Sequence, residues 1–311
     1  MIRAMTHRLF GGLLAVIGAV TLVFLALRVT PGDPADNILG DEAPAAAKAE
    51  FRARLHLDKP MLTQYKMLWT QIADGSLGDT YELGERRSVA DKIAAVLPAT
   101  IELALAAMVV ACSIAIPFGI LAALHHGKVL DKVTMLLALV GVAIPVFWSG
   151  PLLLFLFAVE WQLLPAPGAP LDGPLPLLLP ALVLGSALSA KLSRLVRAAV
   201  LDVMKEDFVV TARAKGIGES RILRVHILRN ALIPILTVAG LQLAALLSGA
   251  IVTEKVFARP GVGTLLLDAI IKRDYAVIQG CVIVVTIAYI VVNVVVDLGY
   301  LIADPRVRSR G

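Results

Sequence analysis

Six long apolar runs alternate with polar segments along the chain. None of the six contains a charged side chain, and each is long enough to cross a hydrocarbon core about 30 Å thick. They cover residues 9–27, 103–124, 133–159, 174–190, 231–253 and 276–296. The pattern therefore predicts six membrane-spanning helices. The third run is long and contains Pro145 and Pro151, so we expect that helix to be tilted or kinked.

The composition indicates an integral membrane protein. Of the 311 residues, 58% are hydrophobic and 17% are charged, and the mean hydropathy is +0.83. A soluble domain of this size does not need so many apolar residues to fill its core. The net charge is +5, but the basic residues cluster at the ends of the apolar runs, where they bias orientation. Nucleic acid is therefore not an expected partner.

The distribution of basic residues predicts that both termini lie in the cytoplasm. The first run is too long for a secretory signal peptide, and Arg28 and a Pro-Gly turn follow it where a small-residue cleavage site would be required. We therefore expect a retained first helix. The segment 254–275 should then lie outside, yet it carries four basic residues against three acids. The four are Lys255, Arg259, Lys272 and Arg273.

The polar segment after the first span is expected to be a small extracytoplasmic elaboration. Residues 45–69 space leucines and aromatic residues around Lys and Arg, with an interruption at Pro60, which is typical of short surface helices. The segment is too small for a core of its own. The expected division is a cytoplasmic N-terminus at 1–8, the first span at 9–29, the extracytoplasmic segment at 30–97, a core of five spans at 98–304 with a cytoplasmic loop at 205–230, and a cytoplasmic tail at 305–311.

The sequence contains no recognisable catalytic, cofactor-binding or metal site. It lacks a G-x-x-x-x-G-K-[ST] phosphate loop, an H-E-x-x-H zinc motif and a G-x-S-x-G nucleophile motif. Cys112 and Cys281 lie inside apolar runs and are expected to be packing residues. His125 and His126 are adjacent and do not share a helix face, which favours a solvated turn over a metal site. The spans also contain no carboxylate pair that would suggest a proton relay.

A basic polar segment, residues 191–230, separates the fourth and fifth apolar runs. Gly216 and Gly218 divide it into two potentially helical pieces. Its charge alone is explained equally well by a cytosolic loop that follows the positive-inside bias and by a docking surface. A short helix that ends at Gly216 and restarts near Glu219 would be a suitable rigid element for transmitting the motion of a separate ATPase.

Residues in this segment resemble the EAA loop of bacterial ABC-importer permeases. That loop reads E-A-A, three residues, Gly, nine residues, I-x-L-P. Here Val210-Thr211-Ala212 precedes Gly216, and His226-Ile227-Leu228-Arg229 follows. Val210, His226 and Arg229 depart from the general pattern, as they do in the dipeptide, oligopeptide and nickel branch of the superfamily.

Further strings similar to that branch occur in order along the chain. They are Pro31-Gly32-Asp33-Pro34, Leu57-Asp58-Lys59-Pro60, Leu97-Pro98-Ala99-Thr100, Ile144-Pro145, Leu163-Leu164-Pro165, Glu254-Lys255-Val256-Phe257, Pro260-Gly261-Val262-Gly263, Arg273-Asp274-Tyr275 and Asp304-Pro305-Arg306. The long segment after the first span resembles the B-type permease of the branch, which pairs with a related C-type permease.

The resemblance implies an all-α permease subunit with six spans, a type I importer fold and a location in the bacterial inner membrane. Two permeases would form the translocation path, and two ATPase subunits at the cytoplasmic face would bind ATP and Mg²⁺. A periplasmic or lipid-anchored binding protein would deliver the solute. The chain itself would hold no cofactor and catalyse no reaction.

The resemblance also implies which residues couple the permease to the ATPases. They are Thr211, Ala212, Ala214, Gly216, Ile222, Leu223, Val225, His226, Leu228 and Arg229. Ile222, Leu223 and Val225 are expected to form an apolar docking anchor with a basic rim. Gly216 is expected to turn the chain sharply between two helical pieces, and an ordinary helix C-cap is the alternative.

Polar side chains inside the spans are candidates for lining the path, since unpaired polar groups are costly in lipid. Hydrogen bonds between helices would explain them equally well. The candidates are Ser149, Ser186, Gln242, Ser248 and Asn293.

Short peptides are the expected cargo, with nickel or its chelates, glutathione and other small solutes as alternatives. Two other classes of protein remain open. An ion-driven secondary carrier would need a coupling-ion site within the spans and no ATPase. A membrane-anchored signalling or assembly factor would use the basic segment for docking and transport nothing.

Overall fold

The computed structural model describes residues 2–40, 42–82, 85–168 and 173–303. The first part of the chain forms α1 (Ile2–Val29), α2 (Pro34–Leu39), α3 (Ala45–Arg54), α4 (Met61–Ala73), and the strands β1 (Asp79–Glu82) and β2 (Glu85–Ser88). The two strands pair as an antiparallel hairpin, with Asp79 opposite Ser88. The hydrophobic pattern did not predict this hairpin, because its strands are short and polar.

The rest of the described chain is helical. It forms α5 (Val89–Leu124), α6 (Val129–Ala143), α7 (Val146–Leu154), α8 (Leu175–Met204), α9 (Asp207–Ala214), α10 (Glu219–Arg221), α11 (Leu228–Gly249), α12 (Ile251–Val256), α13 (Val262–Lys272) and α14 (Tyr275–Ala303). Two π-helical segments continue α7 and α10, at Phe155–Glu160 and Ile222–Ile227.

Five helical stretches of the described chain are long and apolar enough to cross a membrane. They are Phe10–Val29, Val89–Leu124, Leu175–Met204, Glu219–Leu247 and Tyr275–Val296. The third apolar run forms a pair of helices, Val129–Ala143 and Val146–Glu160, that meet at an angle of 94°. The pair brings the number of spans to six if it counts as one broken span.

The break in the third run lies at the proline that the sequence singled out. Ile144 has φ −82° and ψ 116°, an extended conformation, and Pro145 then precedes α7. A residue before proline is disfavoured in the helical region because the proline ring clashes with its backbone and Cβ. The predicted kink is therefore confirmed at Pro145, whereas Pro151 lies inside α7.

The described chain forms two compact units. One comprises Ile101–Arg259 and the part of α14 from Tyr289. Its hydrophobic core is built around α8, with Leu192, Val196 and Val200 fully buried among residues of α5, α9 and α11. α5 and α8 cross closely, since a Cβ at Gly185 would lie 2.6 Å from the carbonyl oxygen of Ala107.

The other unit comprises Ile2–Thr100 and Pro260–Ala288. In it α4 shares a core with two apolar helices, where Leu68 packs with Phe24 of α1 and Ile283 of α14. The Phe24 and Tyr65 rings meet edge to face with their centroids 5.1 Å apart. The hydroxyl of Tyr65 lies 2.8 Å from Oγ1 of Thr21. The polar segment is thus attached to the first span by an apolar and aromatic contact.

Two of the four basic residues that disagreed with the charge bias have partners within their own unit. Arg259 is 4% exposed and pairs with the carboxylate of Glu102. Arg273 donates from Nη1 to the carbonyl oxygen of Pro31 over 2.5 Å. These contacts give a local, structural reason for the positive charge in segment 254–275.

Candidate coupling segment and membrane path

Helix α8 continues well beyond the apolar run of the fourth span. It has 30 residues, Leu175–Met204, and is therefore about 45 Å long. The beginning of the basic segment, including Lys191 and Arg197, is thus the C-terminal half of this helix. Lys205 ends α8, and Glu206 is extended, with φ −69° and ψ 144°. The basic segment therefore contains a break at 205–206 in addition to the one predicted at Gly216.

An ion pair between the half-buried Arg197 and the buried Asp131 joins α6 to α8. Arg197 donates from Nε to Oδ1 of Asp131 over 2.6 Å and from Nη2 to Oδ2 over 2.8 Å. The backbone N–H of Gly127 donates to the same Oδ2 over 2.9 Å, and Nδ1 of His126 lies 3.3 Å from it. The Asp131 side chain is 6% exposed. Sequence reasoning missed the pair, and the available signal was an acid in the first turn of an apolar helix.

Helix α9 buries one face and exposes the other. Val209 and Ala212 are buried in the same hydrophobic core as residues of α8 and α11. Phe208 and Val210 are exposed, Val210 by 57%. The helix is thus anchored in the core of its unit while it presents apolar side chains outward.

Gly216 ends α9 in a left-handed conformation, with φ +75°. The N–H of Gly216 donates to the carbonyl of Arg213 over 2.9 Å, and the N–H of Ile217 donates to the carbonyl of Ala212 over 3.2 Å. This pair of bonds is the Schellman arrangement, which usually needs glycine because an L side chain is strained at positive φ. Gly216 therefore caps α9 and turns the chain at the same point. The predicted sharp turn and the alternative, an ordinary helix C-cap, are both present.

An ion pair spans the turn at Gly216. Nε of Arg213 donates to Oε1 of Glu219 over 2.8 Å, and Nη2 donates to Oε2 over 3.3 Å. The hydrogen bond to Glu219 raises the pKa of Arg213 above its usual value. Both side chains are solvated, so the pair contributes little to the stability of the turn.

The π-helical segment Ile222–Ile227 departs from the predicted docking anchor. Ile222 and Ile227 are both buried in the core around α8. A π-helix brings residues five apart to the same side, and these two therefore point inward together. The side chain of Ile222 is covered by its own chain and does not form part of an exposed anchor in this structure, and its coupling role stays a prediction. Leu223 packs partly on the same core, and Val225 is exposed.

The other predicted coupling residues lie on the surface of the same segment or at its edge. The exposed members of the predicted set are Thr211, Ala214, Gly216, Val225 and Arg229. The half-buried members are Leu223, His226 and Leu228. Ala212 and Ile222 are buried. Phe208, which is exposed on α9, was not among the residues singled out from the sequence.

The predicted path residues bond mainly to their own helices. Oγ of Ser149 donates to the carbonyl of Val146, and Oγ of Ser186 donates to that of Val183. Nδ2 of Asn293 donates to the carbonyl of its own helix four residues earlier, and its Oδ1 is buried without a partner among the described residues. The side chain of Ser248 lies outside the described part of the structure.

Gln242 stands apart from the other path candidates. It is 7% exposed, and neither its Nε2 nor its Oε1 has a hydrogen-bond partner among the described residues. A buried amide without partners costs about 1–3 kcal/mol. Among the described path candidates, Gln242 is the one in which both polar atoms remain available for a group outside this chain.

Residues 115–309 match the family model described as "Binding-protein-dependent transport system inner membrane component". The chain is 39% identical to the di/tripeptide transport system permease protein DppB of Pseudomonas aeruginosa, over 94% of this chain and 95% of that protein. It is 40% identical to the glutathione transport system permease protein GsiC of Escherichia coli, over the full length of both. A solved amino acid ABC transporter crystallised with histidines aligns with a TM-score of 0.50 and 17% identity, covering 70% of this chain and 94% of that chain.

The helical fold with five to six apolar spans and the family match agree with the resemblance drawn from the EAA-like loop. The protein is a multi-pass component of the bacterial inner membrane, and it works together with other components of an ABC importer without being catalytic itself. The chain belongs to the family of binding-protein-dependent transport system inner membrane components, the permease subunits of bacterial ABC importers.

Proposed function

We propose that this chain forms one half of a translocation path for short peptides. Two relatives of nearly the same length support peptides as cargo, because one is named for di- and tripeptides and the other for glutathione, itself a small peptide. Glutathione is the second candidate, supported by 40% identity over the whole chain. The remaining half of the path would come from a related C-type permease.

The proposed assembly contains two ATPase subunits and a solute-binding protein besides the two permeases. The ATPases would bind ATP and Mg²⁺, and the permease chain would bind neither. The binding protein, periplasmic or lipid-anchored, would deliver the peptide from outside. The exposed apolar side chains Phe208 and Val210 of α9 are suited to an ATPase cleft, since buried apolar anchors dominate the stability of protein interfaces.

The coupling proposal depends on one observation, the shared core of α9, α8 and α11. Val209 and Ala212 of α9 pack in the same cluster as Val200 of α8 and Ile235 of α11. Protein cores are close-packed and transmit displacement instead of absorbing it. A movement that an ATPase imposes on α9 would therefore move two membrane-spanning helices, which is what opening and closing a path requires.

The path proposal depends on Gln242. Its two unpartnered amide atoms lie at a buried position of α11 and would gain hydrogen bonds from a peptide backbone or from the second permease. Asn293 has one such atom, Oδ1. The serine candidates bond to their own helices and are weaker candidates for contact with cargo.

Purification of the tagged chain from its native membrane in mild detergent tests the assembly. The expected result is co-purification of a second permease, two ATPases and a solute-binding protein, identified by mass spectrometry. Reconstituted complex should then take up radiolabelled dialanine only with ATP and binding protein present. Recovery of the chain alone, with uptake that follows an ion gradient and ignores ATP, would overturn the proposal in favour of a secondary carrier.

A further inference from the structure

A cavity of about 120 Å³ lies in the unit formed by Ile2–Thr100 and Pro260–Ala288. It is lined by the end of α1, by α3 and α4, by the hairpin and by the first turns of α14. One water molecule needs roughly 10–15 Å³ of such a cavity, so the cavity has room for a small ligand. Two strings singled out in the sequence, Pro31-Gly32-Asp33-Pro34 and Arg273-Asp274-Tyr275, meet at its wall.

The wall of this cavity contains a buried amide without a partner. Gln279 is 7% exposed, and its Nε2 has no hydrogen-bond acceptor among the described residues. Nε2 is a donor, and a buried donor left unbonded is costly. The group that would satisfy it therefore has to be an acceptor that enters the cavity.

Two guanidinium groups at the wall have no carboxylate partner in the described chain. Arg28 donates to Oε1 of Gln64 and to the carbonyl oxygen of Phe24, both neutral acceptors. Arg273 donates to the carbonyl oxygen of Pro31. The guanidinium of Arg28 also lies over the Phe24 ring, 3.5 Å from its centroid, a cation–π contact that offsets part of its desolvation. Neither guanidinium has the anionic partner that a half-buried cation normally has.

Gly32 creates the space that Arg273 occupies. A Cβ at Gly32 would lie 1.4 Å from Nη1 of Arg273, and the glycine has φ +120°. The guanidinium can therefore lie at the cavity wall only because residue 32 has no side chain.

The acidic groups at the wall are already engaged. Asp274 accepts a hydrogen bond from Oγ1 of Thr80 and another from the backbone N–H of Val277. Asp79 pairs with Arg86 over 2.6 Å. Tyr275 also lines the cavity. The donors to Asp274 are neutral and leave its charge in place, so the three lining arginines, Arg28, Arg54 and Arg273, exceed the two lining aspartates by one positive charge.

We infer that this cavity is a binding site for the carboxylate group of a small ligand. A carboxylate supplies two acceptor oxygens and one negative charge, which match the amide of Gln279, the hydroxyl of Tyr275 and the guanidinium groups of Arg28 and Arg273. The carboxylate could come from the terminus of a short peptide or from a free organic acid. All of the residues that line the cavity belong to the unit formed by Ile2–Thr100 and Pro260–Ala288.

Saturation-transfer-difference NMR on the full chain in lipid nanodiscs tests this inference, with acetate, dialanine and dialanine amide as probes. Acetate or dialanine is expected to bind saturably, and dialanine amide is not. Dialanine binding would identify a peptide terminus as the source of the carboxylate, and binding of acetate alone would identify a free acid. Q279L and Y275F should each weaken binding about tenfold, as expected for loss of one hydrogen bond to a charged group.

T286V is the matched control, because Thr286 lies on the same helix and donates to the carbonyl of Val282 away from the cavity. It should bind the probes as the unmodified chain does. Q279L should remain folded, since it removes a buried donor that has no partner. Absence of saturable binding by either carboxylate, equal binding of the amide, or unchanged binding in folded Q279L and Y275F would overturn the inference. None of these outcomes depends on whether the importer transports peptides.

Discussion

Arg197 of α8 donates two parallel hydrogen bonds to Asp131 of α6, 66 positions earlier in the chain. The carboxylate also accepts from the backbone N–H of Gly127 in the turn before α6. The ion pair therefore fixes three elements at one point: the turn, the start of the broken third span, and the C-terminal half of the helix that leads to α9.

Removing one partner of this ion pair should destabilise the protein strongly. R197Q leaves the buried Asp131 carboxylate without its bidentate donor. Loss of one partner of a fully buried pair costs about 3–5 kcal/mol, which is the upper limit here because Arg197 is half-buried and the N–H of Gly127 still donates to Asp131. Thermal unfolding in detergent should show a clearly lower midpoint for R197Q. R194Q, an exposed arginine of the same helix, is the control and should behave as the unmodified protein. Equal midpoints for R197Q and R194Q would contradict the assigned role.

The close crossing of α5 and α8 predicts that Gly185 tolerates no side chain. G185V places a Cβ 2.6 Å from the carbonyl oxygen of Ala107, so the helices have to separate. Overpacking of this kind costs about 1–3 kcal/mol. The expected result is a lower unfolding midpoint and a reduced monodisperse fraction in size-exclusion chromatography. G18V, at a position of α1 where a Cβ meets nothing within 4 Å, should show neither effect.

Alanine substitutions at Gly32 and Gly40 distinguish the cost of contact with Arg273 from the cost of backbone strain. Both have positive φ, +120° and +87°, but only at Gly32 would a Cβ collide with another group, the guanidinium of Arg273. G32A should displace the guanidinium of Arg273 from the carbonyl oxygen of Pro31, which costs little crowding because the guanidinium is the end of a flexible side chain. The expected extra destabilisation relative to G40A is the loss of that one hydrogen bond, about 0.5–1.5 kcal/mol. Differential scanning fluorimetry of the two variants measures this difference, and a higher midpoint for G32A than for G40A would contradict it.

The spans were predictable because a long apolar run without charged side chains is by itself sufficient to indicate a membrane crossing. The break at Pro145 was predictable for the same kind of local reason, since proline restricts the residue before it. The 94° angle of that break was not, because the angle depends on what α6 and α7 each pack against.

Long-range contacts lay beyond sequence reasoning. Arg197 and Asp131 belong to different apolar runs, and the contact between Pro31 and Arg273 joins opposite ends of the chain. The π-helical turn at Ile222–Ile227 reverses the expected exposure of Ile222, and helical periodicity alone does not predict such a turn. The EAA-like resemblance predicted the coupling segment from residues alone, whereas the exposure of Phe208 could be seen only in the fold.

The exposed apolar side chains of α9 are expected to hold the ATPase subunits. The double variant F208S/V210S removes two exposed apolar groups and leaves the buried Val209 in place. The variant should fold and insert normally but co-purify with much less ATPase, because interface energy is concentrated in a few apolar anchors. M61S/L62S, which alters two exposed apolar residues of α4 outside the membrane-spanning stretches, is the control and should retain the ATPases. Undiminished recovery of ATPase with F208S/V210S would rule out α9 as their docking element.

Gly216 provides the most direct test of coupling through α9 and the π-helical segment. G216V places a valine at φ +75°, where an L side chain is strained. Two controls separate this strain from the change of residue. G216N keeps a residue that tolerates the left-handed conformation, and G218V places a valine at an ordinary φ of −64°. The measurement is peptide uptake together with binding-protein-stimulated ATP hydrolysis by the reconstituted importer. G216V is expected to lose uptake at least about tenfold and to lose stimulation, with G216N and G218V close to the unmodified complex. Full uptake and full stimulation in G216V would contradict the coupling role of this segment.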